Sequence, residues 1–88
     1  MKKNNEENYN LGYKLGKKVG RNGVANYLHF ITYYQGKAKA DYIKKELPKL
    51  CMAYQEPIPT FLIDCEDSNE LIEVHRMYLL GLNNGSLA

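Results

Sequence analysis

The stretch LGYKLGKKVGRNG, Leu11–Gly23, combines a helical pattern with an unusual number of glycines. Apolar side chains recur at every fourth position, which places them on one stripe of a helix: Leu11, Leu15 and Val19. Glycines follow the same spacing one residue later and form what we call the glycine row: Gly12, Gly16 and Gly20. Three glycines in place of alanine cost a helix about 2–3 kcal/mol in propensity, so the row predicts close packing of another backbone. We expect that backbone to be the second helix of the same chain, with a partner's surface as the alternative.

The pattern beyond this stretch predicts an all-α fold, a small compact bundle of four to five helices with a long second helix. The motif GRNG, residues 20–23, is typical of a helix end, because glycine and asparagine tolerate a left-handed backbone. Apolar steps of three and four then predict a second helix from about Val24 to Glu46. Pro48 suits the first position of a short third helix. The inward residues of that third helix are expected to be Leu50, Cys51 and Tyr54.

The C-terminal part predicts one further helix. Asp67 or Ser68 can cap it, and Glu70 is the acid expected three residues after an Asp67 cap. The motif NNGS, residues 83–86, is predicted to end it. Residues 57–66 contain two prolines and no convincing strand partner, so helix or coil is favoured there over strand. We therefore expect a single helical domain over residues 1–88, with residues 1–6 frayed.

Charge is divided between two unlike halves. Residues 1–49 hold eleven Lys or Arg against four Asp or Glu, a net charge of +7, whereas residues 50–88 have a net charge of −5. This asymmetry favours contact with an anionic partner through the first half, self-association between unlike halves, or neutralisation within the fold. No apolar run approaches the roughly 18 residues of a membrane span, so we expect a cytoplasmic protein with no membrane partner.

Catalytic and metal-binding patterns are weak in this sequence. One alternative is a zinc set of two cysteines and two histidines, namely His29, Cys51, Cys65 and His75. Zinc ligands usually occur in local pairs, and these four are widely separated, so buried thiols and ordinary imidazoles are favoured. Either cysteine could also meet a histidine as a nucleophile, but nothing around them resembles a nucleophile motif. The expectation is a non-enzymatic protein with no catalytic residue, no metal and no cofactor.

Two residue classes are candidates for partner binding. Cations spaced by three or four form one face of the first helix and are suited to an anionic backbone or to electrostatic steering: Lys14, Lys17, Lys18 and Arg21. Eight tyrosines in 88 residues exceed what a small core can bury with satisfied hydroxyls, so some are expected at a protein interface. The tyrosines predicted to bind a partner are Tyr9, Tyr13, Tyr33 and Tyr34.

The first helix also carries a family resemblance. Its residues resemble the G-Y-x-x-G-x-x-G-R opening of small bacterial ribosome modulation factors, with Gly12, Tyr13, Gly16 and Arg21 as the matching positions. The second gap is one residue longer here, and the family's Cys-Pro-Tyr and Trp-rich segment is absent. The resemblance covers about a dozen positions and implies binding to ribosomal RNA and protein.

Together these features predict a small binding protein that modulates or inhibits a host macromolecular complex through protein contacts, in the manner of phage or mobile-element regulators. The alternative is direct binding of RNA or DNA through the basic N-terminal half, as in ribosome-associated proteins or nucleoproteins. A third hypothesis is a homodimer formed through the first helix.

Overall fold

The computed structural model describes residues 5–88, of which 82% lie in helices. No β-strand occurs in this range, which confirms the all-α prediction. The elements in chain order are α1 (Asn5–Ile31), α2 (Gly36–Ala53), α3 (Phe61–Asp64) and α4 (Ser68–Leu87). The four helices and the 18 residues of α2 agree broadly with the predicted bundle of four to five helices with a long second helix, although α1, with 27 residues, is longer. Residues 5 and 6, expected to be frayed, belong to α1, and residues 1–4 lie outside the described range.

A kink at Gly20 divides α1 into two arms, residues 5–19 and 21–31. Gly20 has φ 86° and ψ 173°, a combination that is essentially restricted to glycine. The predicted helix end at residues 20–23 is therefore a kink, because the chain resumes helical geometry directly after Gly20. The kink allows the two arms to pack in different directions.

The predicted second helix from Val24 to Glu46 is interrupted. α1 ends at Ile31, and α2 starts at Gly36, whose φ of 58° is left-handed. α2 then continues through Pro48, where a separate third helix was expected. Proline inside a helix costs about 3 kcal/mol. The fully buried Leu47 and Cys51 offset this cost, since burying a large apolar side chain contributes about 1.5–3 kcal/mol.

α4 begins where the sequence predicts and ends later. The Asp67 side chain caps it by accepting a hydrogen bond from the Glu70 amide at 3.0 Å, which confirms the predicted cap. The predicted end at residues 83–86 is wrong, because the helix continues to Leu87. Gly85 lies within the helix and serves packing instead of termination.

Two members of the glycine row, Gly12 and Gly16, pack on α4 and not on the second helix. A Cβ atom at Gly12 would overlap the carbonyl oxygen of Tyr78, and one at Gly16 would overlap that of Leu82. Gly20 has open space around it and takes no part in this contact. Because the contacted position on α4 advances with the position on α1, the two helices run parallel.

The contact is reciprocal, because α4 contributes two glycines of its own. A Cβ at Gly81 would overlap the Tyr9 carbonyl oxygen and lie 2.9 Å from the Tyr13 amide nitrogen. A Cβ at Gly85 would overlap the Tyr13 carbonyl oxygen. Four glycine Cα–H groups thus face carbonyl oxygens of the opposite helix, a contact that recurs where helix backbones approach closely. α1 and α4 form the most extensive helix pair of the fold, and α2 and α3 complete the core.

Candidate binding surface

Both cysteines and one histidine lie in the core. His75 is 2% exposed, its Nε2 atom lies 3.0 Å from the Tyr27 hydroxyl, and burial, with a smaller contribution from the Lys39 charge, lowers its pKa to about 3. Cys51 lies 3.5 Å from the Tyr78 hydroxyl, and burial raises the pKa of its thiol. Cys65 is also buried. His75 and Cys51 are therefore neutral parts of the packing at neutral pH.

The four residues considered as zinc ligands do not share one environment. His29 is exposed, whereas the other three members are buried. Within residues 5–88, no group of three or more His, Cys, Asp or Glu side chains is placed to hold a metal ion.

Two of the four cations predicted to bind a partner form hydrogen bonds within the chain. Lys18 donates to the Tyr54 carbonyl oxygen at 3.2 Å and forms an ion pair with Glu56 at 2.7 Å. Arg21 donates to the side chains of Asn83 at 2.9 Å and Ser86 at 3.2 Å. These contacts join the kink of α1 to the end of α2 and to α4. Tyr54, predicted to face inward, is exposed and offers its carbonyl group here.

Removing Lys18 or Arg21 should destabilise the fold more than removing Lys14 or Lys17. Lys18→Ala and Arg21→Ala should each lower the free energy of unfolding by about 1 kcal/mol, because each removes charge-assisted hydrogen bonds to partly buried groups. Lys14→Ala and Lys17→Ala, at exposed positions on α1, should change it by less than about 0.5 kcal/mol. Urea unfolding of the four single variants tests this. Equal effects in both pairs would contradict the assignment.

Tyr9 and Tyr13 belong to the packing of α1 on α4. The Tyr9 hydroxyl accepts a hydrogen bond from the Asn84 amide at 2.9 Å, and the two tyrosine rings lie 6.2 Å apart. Their main-chain carbonyl oxygens face Gly81 and Gly85. Both side chains are half-buried, which leaves them at the edge of the surface.

The second tyrosine pair lies on an exposed aromatic cluster at the corner between α1 and α2. Tyr33 is 66% exposed, and its hydroxyl lies 3.0 Å from the Nε2 atom of His29. The Phe30 ring, 49% exposed, lies 5.6 Å from His29 and 6.1 Å from Tyr33. Tyr34 stacks on Tyr42 with ring centroids 4.5 Å apart. We call these five residues the aromatic surface.

A groove of about 310 Å³ continues from this surface between α1 and α2. Phe30 and Tyr42 line the groove and so belong to both features. Apolar atoms from Leu50 and Ala53 line it further along α2. Lys49 also lines it and forms a 3.6 Å ion pair with Glu46. The groove and the aromatic surface together offer a largely apolar recess with aromatic groups at one end.

Phe30 and Tyr42 were not predicted as site residues. The sequence does contain a signal, because HFITYY, residues 29–34, is the richest aromatic run in the chain. An apolar helical period through residues 24–43 made Tyr42 look like core and left Phe30 without a role. The break at residues 32–35 turns this run into an exposed corner.

None of the helices in residues 5–88 combines the length and hydropathy needed to cross a membrane. No protein-family model, curated protein or solved structure matches the chain.

Proposed function

We propose that this protein is a non-enzymatic helical binding protein that regulates another macromolecule through protein contacts made by the aromatic surface. The observation that carries the proposal is the exposure of Phe30 and Tyr33 as one cluster beside an apolar groove. Aromatic side chains provide large, rigid contact area at low entropic cost, and they dominate the energetic centres of interfaces. A single exposed apolar residue is ordinary, but a cluster that adjoins a groove is typical of an interaction site.

The order of the side chains on this surface supports a role in binding. It covers parts of two helices, and the His29, Phe30 and Tyr33 rings already contact one another. A partner therefore meets partly ordered side chains, which reduces the entropy lost on binding. Occupying a surface of a larger complex in this way would block or redirect that complex. The exposed lysines of α1, Lys14 and Lys17, would steer association without forming its centre.

The test compares Phe30→Ala with Leu80→Ala, because both parent side chains are 49% exposed and Leu80, on α4, is not part of the aromatic surface or of the groove lining. Immobilised protein would be exposed to lysate from its source cells, with the captured protein and RNA identified and the affinity of the captured component then measured. We expect Phe30→Ala and Tyr33→Ala to weaken protein binding at least about tenfold while leaving the unfolding midpoint nearly unchanged. Leu80→Ala should bind like the parent chain.

Two results would overturn the proposal. One is unchanged affinity of both aromatic variants for a captured protein. The other is capture of RNA alone, with binding that is lost in a Lys14→Glu, Lys17→Glu double variant and retained in Phe30→Ala, which would favour the nucleic-acid alternative.

A further inference from the structure

The segment around α3 forms an apolar projection with acidic neighbours. Ile63 is 80% exposed, the most exposed of the large hydrophobic side chains, and Ile58 is 42% exposed. Asp64 and Glu66 are exposed beside them. Residues 54–75 contain six acidic side chains and no Lys or Arg. We call Ile58, Ile63, Asp64 and Glu66 the α3 knob.

The α1–α2 groove has the opposite charge along one side. α2 contains five lysines against Asp41 and Glu46, a net charge of +3. Glu46 and Lys49 both line the groove and form an ion pair at 3.6 Å, and Lys45, one helical turn before Lys49 on the exposed side of α2, leaves this edge with one cation in excess. Apolar lining beside exposed cations fits an apolar side chain that has carboxylates next to it.

We propose that the α1–α2 groove of one copy binds the α3 knob of a second copy. In this arrangement Ile63 fills the apolar recess beside Phe30, and the carboxylates of Asp64 and Glu66 face the ammonium groups of Lys45 and Lys49. The charge complementarity of the two surfaces and the high exposure of Ile63 are the observations that support a second copy as the occupant. This inference goes beyond the proposed function, because it concerns contacts between copies of the chain and needs no other partner.

The groove and the knob share no residue, so a two-fold dimer that makes both groove–knob contacts, a ring and an open chain all satisfy this pairing. Sedimentation velocity distinguishes a closed dimer from the larger species. Ion pairs at an exposed edge are screened by salt, so assembly should be stronger at about 50 mM than at about 500 mM NaCl.

Sedimentation velocity of the full chain and of two complementary variants tests the proposal. Phe30→Ala damages the groove and leaves the knob, whereas Ile63→Ser damages the knob and leaves the groove. We expect the parent chain to associate at about 10–100 µM in low salt, as small interfaces do, and each variant alone to remain monomeric. An equimolar mixture of the two variants should form a dimer and no larger species, because it contains one intact groove and one intact knob per pair.

A second pair of variants repeats the test with charge. Lys45→Glu with Lys49→Glu should abolish association, and mixing this variant with Asp64→Lys, Glu66→Lys should restore it, because the parent groove pairs with the parent knob and the reversed groove pairs with the reversed knob. Leu80→Ser is the control and should associate like the parent chain. Circular dichroism confirms that each variant is folded.

Three outcomes would overturn the inference: a parent chain that is monomeric at every concentration in low salt, association that survives in both single-surface variants, or a mixture that does not associate. Any of these results leaves the partner-binding proposal standing, since that experiment uses a different molecule.

Discussion

Gly81→Ala is expected to lower the free energy of unfolding by about 3 kcal/mol or more. Alanine improves helix propensity by about 1 kcal/mol, but its Cβ would overlap the Tyr9 carbonyl oxygen, a backbone atom that no rotamer change can move. The overlap forces α1 and α4 apart, and overpacking of this kind costs 1–3 kcal/mol even where side chains can adjust. A domain of this length has a total stability of about 4–13 kcal/mol, so the loss is a large fraction of it. Urea unfolding followed by circular dichroism measures the change.

Gly23→Ala is the matched control, since it also adds one methyl group to a glycine in α1. Its Cβ would meet only the side chain of Val19, which can shift. We expect a change within about 1 kcal/mol of the parent chain, as the gain in helix propensity offsets the shift. Gly12→Ala and Gly85→Ala should behave like Gly81→Ala. Similar unfolding midpoints for Gly81→Ala and Gly23→Ala would contradict the close backbone contact.

His75→Gln is expected to change how stability depends on pH. The buried imidazole has a pKa of about 3 in the folded chain, against an ordinary value of 6.5. Above about pH 6.5 it is neutral in both states and contributes no pH dependence. Below that value the unfolded chain takes up a proton that the folded chain does not accept until about pH 3, so stability falls as pH falls. Between these limits the loss is about 1.4 kcal/mol per pH unit, or about 3 kcal/mol at pH 4.5.

Glutamine has no ionisable group, so the free energy of unfolding of the variant should lack this decrease at acid pH. At pH 7 we expect His75→Gln to be about 1–2 kcal/mol less stable than the parent, because the hydrogen bond to Tyr27 is weakened and packing is disturbed. Near pH 4.5 the order should reverse. Leu80→Ala, which changes no ionisable group, is the control and should run parallel to the parent curve. Parallel curves for His75→Gln and the parent between pH 7 and pH 4 would contradict the assignment.

The predictable part of the fold is the part that local chemistry determines. Asp67 is recognisable as a cap because an Asx residue with an acid three positions later satisfies helix amides locally. The kink at Gly20 lies within the motif that predicted a helix end. A local pattern does not show whether a glycine or proline ends a helix or whether tertiary packing keeps the helix continuous at that residue. α2 remains helical at Pro48 because its neighbours Leu47 and Cys51 are buried in the core. α4 remains helical at Gly85 because this glycine packs against the backbone of α1.

The prediction that the second helix covers the glycine row is wrong, because the contact depends on matching glycines on α4. Gly81 and Gly85 repeat the four-residue spacing of Gly12 and Gly16. Two rows with equal spacing predict a reciprocal contact, whereas α2 has no small residues with that spacing apart from Gly36 and Ala40. An interpretation of Gly85 as a helix end hid this match.

The candidate site was accessible to sequence analysis only in part. Tyr33 and Tyr34 could be predicted as binding residues because the high number of tyrosines is visible in the composition. Lys18 and Arg21 form hydrogen bonds with groups that lie between 36 and 65 positions further along the chain. No local sequence pattern shows such contacts. The groove depends on the angle between two helices and has no signature in either helix alone.

Direct backbone contact of α4 with Gly12 and Gly16 of the glycine row is the central feature of this fold. Nuclear Overhauser effects between α-protons and amide protons test it most directly. We expect cross-peaks from the Gly12 α-protons to the Leu82 amide proton and from the Gly81 α-protons to the Tyr13 amide proton, because the corresponding backbone groups are in contact. Cross-peaks from Gly12 and Gly16 to residues of α2, without those to α4, would contradict it.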